Sequence, residues 1–273
     1  MLEASARDRT NTPNPTRSFL SDTQRTKQGH LSRTQEASAK YSLHKMTDPI
    51  KLHPPTIFLQ ALLDCITDDI TPLSAPAMNE KGTKLFGAAV LLKSDLSLVL
   101  AGTNHESASP LNHGETWTVS QFFNLPVEIR PNPKDCLFLS THEPCSLCIN
   151  AIVWSGFDNF VYVWDYAETD KLFGISGDLE VWRDCFYHGP EHDYGHNLTD
   201  VGTMNGEIAK DGSAHKVELY KRINPKFVAR SIQEILDAVP SAEREQWETK
   251  LQKVKTDYGR LSPTFCQRTG VTQ

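Results

Sequence analysis

Hydrophobic positions along the chain begin to recur regularly only after residue 55. Ile57, Leu59, Leu62, Leu63, Ile66 and Ile70 fall at helical spacing, and Pro54-Pro55 end any earlier structure. Two short strand-like runs follow at 86–92 and 96–101, with Ser94-Asp95 as the turn between them. A helix is predicted from His113 through Trp117, Val119, Phe122 and Phe123 to Pro126. Residues 136–140 read as a strand. Residues 145–154 read as a helix with Pro144 in its first turn. A strand at 159–164, a helix around 179–186 and a last strand at 217–223 complete the series. Beyond Pro225, Val228, Ile232, Ile235, Leu236 and Val239 share one helical face. Pro240 breaks that helix, and Ser241 caps another with Glu243 and Glu245 in its first turn.

This order of elements predicts an α/β/α sandwich around one five-stranded mixed sheet. Three segments are expected: a tail over residues 1–50, a main domain over 51–225 and a helical extension over 226–273 packing on it. The tail is rich in Ser, Thr, Asn, Gln and Arg and shows no period, so it is read as disordered. Trp154, Trp164 and Trp182 have apolar neighbours and are expected in the core, and Cys136 and Cys185 are expected as small buried residues.

Charge sharpens the division. Residues 1–47 carry eight Lys/Arg and four Asp/Glu, net +4, whereas the remainder carries 20 against 30, net −10. An acidic main body disfavours nucleic acid as a partner, leaving the basic tail as the one obvious phosphate-binding stretch. No apolar run is long enough to span a bilayer, and no membrane partner is expected. The six cysteines are too sparse for a disulfide framework, which points to a reducing, cytoplasmic setting. A mitochondrial transit peptide over residues 1–45 is the alternative, against which Glu3, Asp8, Asp22 and Glu36 weigh.

The candidate chemistry lies in two pieces, His113-Gly114-Glu115 and Pro144-Cys145-Ser146-Leu147-Cys148. Cys145 and Cys148 are spaced to grip one ion from the first turn of a helix, and His113 comes from a second helix start. Three such ligands with a spare carboxylate suit a catalytic zinc, whose fourth position is left to water. Asp165 lies just past a predicted strand end, where ligands gather in open α/β sheets, and is a candidate for reading a substrate amine. His188, His192 and His196 are four residues apart, but Gly189, Pro190 and Gly195 interrupt any helix, so a polar loop is expected there and not a second metal site. His105 and His142 flank the two pieces and are read as structural.

His-x-Glu paired with Pro-Cys-x-x-Cys, 28 residues apart between Glu115 and Pro144, resembles the signature of the cytidine deaminase superfamily of zinc nucleobase deaminases. The resemblance covers roughly residues 56–223 and implies the cytidine deaminase-like α/β/α fold. It implies one Zn2+ per chain held by His113, Cys145 and Cys148, with Glu115 as the proton shuttle. The implied reaction is hydrolytic deamination of a nucleobase, nucleoside or nucleotide. Asn104, at the end of a predicted strand, matches an asparagine that contacts substrate in relatives. The segment after the fourth strand closes over substrate in such proteins, which makes Tyr187, His188 and Tyr194 candidates for capping a flat ring. Glu143 before Pro144 and the long stretch after Trp164 resemble the tRNA adenosine and guanine deaminase branch more than the free-cytidine enzymes. Gly114 replaces the alanine common in relatives. The alternatives are a tRNA-editing deaminase and a non-catalytic zinc-binding subunit. Relatives also imply a homodimer or larger homo-oligomer.

Overall fold

Alternation within the strands decides which layer each side chain joins. The computed structural model describes residues 48–81, 84–186, 207–208, 214–215 and 219–273. The first helix, α1 (Pro55–Asp64), passes through a π-helical stretch (Cys65–Ile70) into α2 (Thr71–Lys81). After β1 (Gly87–Leu92) and β2 (Leu98–Thr103) come α3 (Gly114–Asn124), β3 (Cys136–His142), α4 (Ser146–Trp154) and β4 (Asn159–Trp164). A short α5 (Gly177–Val181) precedes β5 (Val228–Ser231), α6 (Ile232–Asp237), α7 (Ser241–Gly259) and α8 (Pro263–Thr269).

The sheet order is β2-β1-β3-β4-β5. β1 is antiparallel to β2 and β3, and β3, β4 and β5 are mutually parallel. On one face, Leu91, Leu139 and Val161 meet α1, α6 and α7 through Leu62, Ile235 and Leu251. On the other, Val90, Phe138 and Phe160 meet α3 and α4 through Phe122 and Ile152. Both faces of the parallel strands are thus covered, which is why β3 and β4 are buried throughout. The result is the expected α/β/α sandwich with a five-stranded mixed sheet. No described helix is long and apolar enough to cross a membrane.

Five expectations need correction. The fifth strand is Val228–Ser231 and not 217–223. Four residues are too few for alternation to show, so Val228 blended with the helical period that follows it. The Ser231-x-x-Glu234 capping box, with Ser231 accepting from the Glu234 amide, marks where the helix begins. The main domain therefore does not end at residue 225: β5 lies beyond it and completes the sheet. Pro144 stands one residue ahead of the N-cap Cys145 and outside the first turn of α4. Trp164 is fully buried, but Trp154 is 87% exposed. The inward stripe of α4 is Cys148, Ile149 and Ile152, and a residue two beyond Ile152 faces away. Cys136 is buried, whereas Cys185 is exposed.

Candidate metal centre

Two helices begin at the same end of the sheet, and each begins on a metal-type ligand. His113 is the N-cap of α3 and Cys145 the N-cap of α4. An N-cap side chain usually accepts from the first free amides of its helix. Neither does so here, and both side chains turn toward one point. Cys148 follows one turn into α4. The His113 nitrogen and the two sulfurs all lie within 4.8 Å of one another. His113 Nδ1 is 3.5 Å from Cys145 Sγ and 3.6 Å from Cys148 Sγ. Zinc–nitrogen and zinc–sulfur bonds of ordinary length meeting at the tetrahedral angle would separate nitrogen and sulfur by about 3.6 Å. The donor set and its spacing fit one zinc ion with a fourth position open.

Among themselves the three ligands already share charge. The Cys148 side chain beside it holds Cys145 low, and His113 adds to the effect. The same contact and burial push Cys148 up. The interaction with Cys145 raises His113 to about 9 against the lowering effect of burial. The cluster therefore favours one thiolate against one imidazolium, and a cation entering it replaces protons.

Glu115, in the first turn of α3, is buried beside this cluster. Cys148 Sγ donates to its Oε2 at 3.4 Å, and Ser140 Oγ on β3 donates to its Oε1 at 2.8 Å. Burial pushes its carboxyl above the usual range, and the charge on Cys145 adds to the shift. Gly114 lets α3 begin this close to the sheet. A Cβ there would stand 2.8 Å from the carbonyl oxygen of Phe86 and 2.9 Å from its carbonyl carbon, both backbone atoms.

A cavity of about 240 Å³ opens over the cluster. Lys84, Phe86, Glu143 and residues 174–178 line it together with His113, Glu115, Cys145 and Cys148. Glu143 is tied in place by the Tyr220 hydroxyl at 2.8 Å and the Tyr166 amide at 3.2 Å. Burial pushes its carboxyl up to about 7. Tyr166 also donates through its hydroxyl to the Pro144 carbonyl, bracing the cysteine-bearing turn.

The other candidates are placed as follows. Asn104 is buried at the end of β2 and is not among the cavity-lining residues. Its Oδ1 accepts from the Glu106 amide at 2.9 Å, and its Nδ2 has no partner among the described residues. Asp165 is engaged locally: it caps the turn Tyr166–Glu168 in a capping box and does not line the cavity. Tyr187, His188 and Tyr194 lie outside the described residues. His105 stacks on Trp117 with ring centroids 4.5 Å apart. His142 is packed among Trp164, Phe86 and Phe173.

Asp178, in the first turn of α5, is the site residue that periodicity missed. It faces the cavity, and no described residue hydrogen-bonds its carboxylate. Burial, then the charges of Cys145 and Glu115, push it up to about 7. A carboxylate beside the glycine-flanked stretch Gly174-Ile175-Ser176-Gly177 was the only sequence signal for it.

Residues 73–164 match the family model described as the cytidine and deoxycytidylate deaminase zinc-binding region. A probable cytosine deaminase of Schizosaccharomyces pombe is 26% identical over 99 residues, covering 36% of this chain and 59% of that relative's length. A guanine deaminase from Bacillus subtilis aligns over 59% of this chain and 98% of its own, at 18% identity and a TM-score of 0.37. A guanine deaminase from Nitrosomonas europaea aligns over 74% of this chain and 84% of its own, at 17% identity and a TM-score of 0.32. The matched stretch holds His113, Glu115, Cys145 and Cys148. Over residues 73–164, then, this chain is similar to the zinc-binding region of cytidine and deoxycytidylate deaminases.

Proposed function

We propose that the protein catalyses hydrolytic deamination of a small nucleobase, nucleoside or nucleotide, replacing a ring amine with a carbonyl and releasing ammonia. The observation that carries this reading is Glu115: a buried carboxyl on the floor of a small cavity, 3.4 Å from a ligand sulfur. A carboxyl in a purely structural site would have no reason to face that cavity.

Zinc, when bound, would supply a Lewis acid that makes the attacking water more acidic. The chain's own residues supply the rest. Glu115 takes a proton from water as the new carbon–oxygen bond forms. It passes that proton to the ring nitrogen, then takes the remaining proton from the new hydroxyl and delivers it to the departing amine as the carbon–nitrogen bond breaks. Ser140 holds Oε1, so Oε2, beside the Cys148 sulfur, is the oxygen that carries that traffic. Phe86 offers an apolar wall to a ring. The cavity is below the usual 300–1,000 Å³ or so of drug-sized pockets, which supports a single heterocycle over a larger ligand.

Asp178 gives the substrate a preferred edge. Its carboxylate accepts from N–H groups. Guanine carries such a group beside its amidine carbon, whereas the corresponding nitrogen of cytosine is itself an acceptor. This supports guanine-type substrates first, and the curated relative's name keeps cytosine in the comparison.

The test is ammonia release by the zinc-loaded protein from guanine, cytosine, adenine and their nucleosides and nucleotides. At least one should turn over. Glu115→Gln should lower that rate by about 10²- to 10⁴-fold with zinc content unchanged, the usual range for a lost general base. Full turnover in that variant, or no ammonia from any compound with one zinc bound, would refute the proposal.

A further inference from the structure

The geometry points to Glu106 as a positioning residue for His113, fixing the ring for metal binding from its far side. This rests on the metal-centre reading. His113 presents Nδ1 to the two cysteines, and its other nitrogen, Nε2, is 3.6 Å from Glu106 Oε1. That separation is an electrostatic contact and longer than a hydrogen bond. It still discriminates between ring forms. A metal on Nδ1 needs the lone pair there and the proton on Nε2. A carboxylate facing Nε2 favours that tautomer and makes Nδ1 the better donor.

The loop is built to hold this contact. Asn104 anchors it: its backbone amide donates to the Phe86 carbonyl at 2.8 Å, and its buried Oδ1 accepts from the Glu106 amide at 2.9 Å. The His105 amide donates to the Asn112 carbonyl at 2.8 Å, closing the loop so that residues 106 and 113 come together. Lys84 Nζ lies 3.3 Å from the same Glu106 oxygen and steadies it from the cavity rim. Asn104 thus acts through Glu106 on the metal ligand, a role that its buried, cavity-shy position allows.

The experiment compares zinc affinity in the full chain and in Glu106→Ala and Glu106→Gln, by competition with a chromophoric chelator. Cobalt-substituted spectra and thermal melts are recorded alongside. Glu106→Ala should bind zinc about 10- to 100-fold more weakly, the range for lost partners of ligating histidines. Glu106→Gln, which keeps an oxygen acceptor without the charge, should fall between. The cobalt ligand-field bands should shift in the alanine variant, a change that a merely structural role would not produce. Wild-type affinity and an unshifted spectrum in a folded Glu106→Ala would overturn the inference. If that variant does not fold, wild-type affinity in Glu106→Gln overturns it instead. If the unaltered protein binds no zinc, the metal-centre reading itself fails, separately from any role of Glu106.

Discussion

At the residue scale, single atoms set the site. Gly114 is the clearest case, because a methyl group there meets backbone that cannot swing aside. Gly114→Ala should destabilise the protein by about 1–3 kcal/mol, the usual cost of overpacking, and weaken zinc binding as α3 backs away from the sheet. Denaturant melts and metal titration would show both, and an unchanged melt would contradict the close approach. His142 makes a pH prediction. Burial lowers its pKa to about 3 from the ordinary 6.5, so the unfolded chain binds that proton first. Stability from this group is complete above pH 6.5 and is lost as pH falls toward 3, by at most about 1.4 kcal/mol per pH unit. His142→Gln should flatten that acid limb in melts between pH 6.5 and 4. An unchanged slope would mean that His142 is not what titrates.

At the element scale, the two helix starts are the working parts. α3 and α4 pack on one face of the sheet through Phe122 and Ile152, so their N-termini are fixed relative to each other before any metal arrives. The outward side of α4 is free of that duty. Trp154→Ser should change stability by less than about 0.5 kcal/mol, as surface changes usually do. Trp164→Ala, in the opposite core against His142 and Tyr258, should cost about 3–5 kcal/mol. Paired urea melts would separate them, and equal losses would mean that the burial is wrongly assigned. The helix starts and strands on either side of the motif were legible because their apolar periods are long enough to be unambiguous. The four-residue β5 was not, since two inward positions cannot define a period.

At the scale of the whole molecule, the last 46 residues belong to the fold. β5 pairs with β4 over four positions from Asn159 to Tyr162, and α6, α7 and α8 bring Ile235, Trp247, Tyr258 and Phe265 into the core. Arg230 on β5 also pairs with Asp48 at 2.5 Å and with Glu234 at 3.0 Å, tying the first described segment to the last strand. Ending the chain at residue 225 should therefore abolish cooperative unfolding and zinc binding together, as followed by circular dichroism and chelator competition. A truncated chain that melts sharply would show the extension to be an appendage after all.

The sequence by itself determined the ligands, the spare carboxylate and the layered fold class, because metal chemistry depends on residue type and short spacing, and layers depend on period. It also brought the two pieces of the motif to helix starts. Tertiary structure alone decided which residues surround them. Asp178 lines the cavity and Asp165 does not, although both are aspartates in the stretch between β4 and β5. Asn104 reaches the centre through Glu106 and His113, a path that runs across a closed loop. Such placements follow from where chains cross in space, and no local period records that.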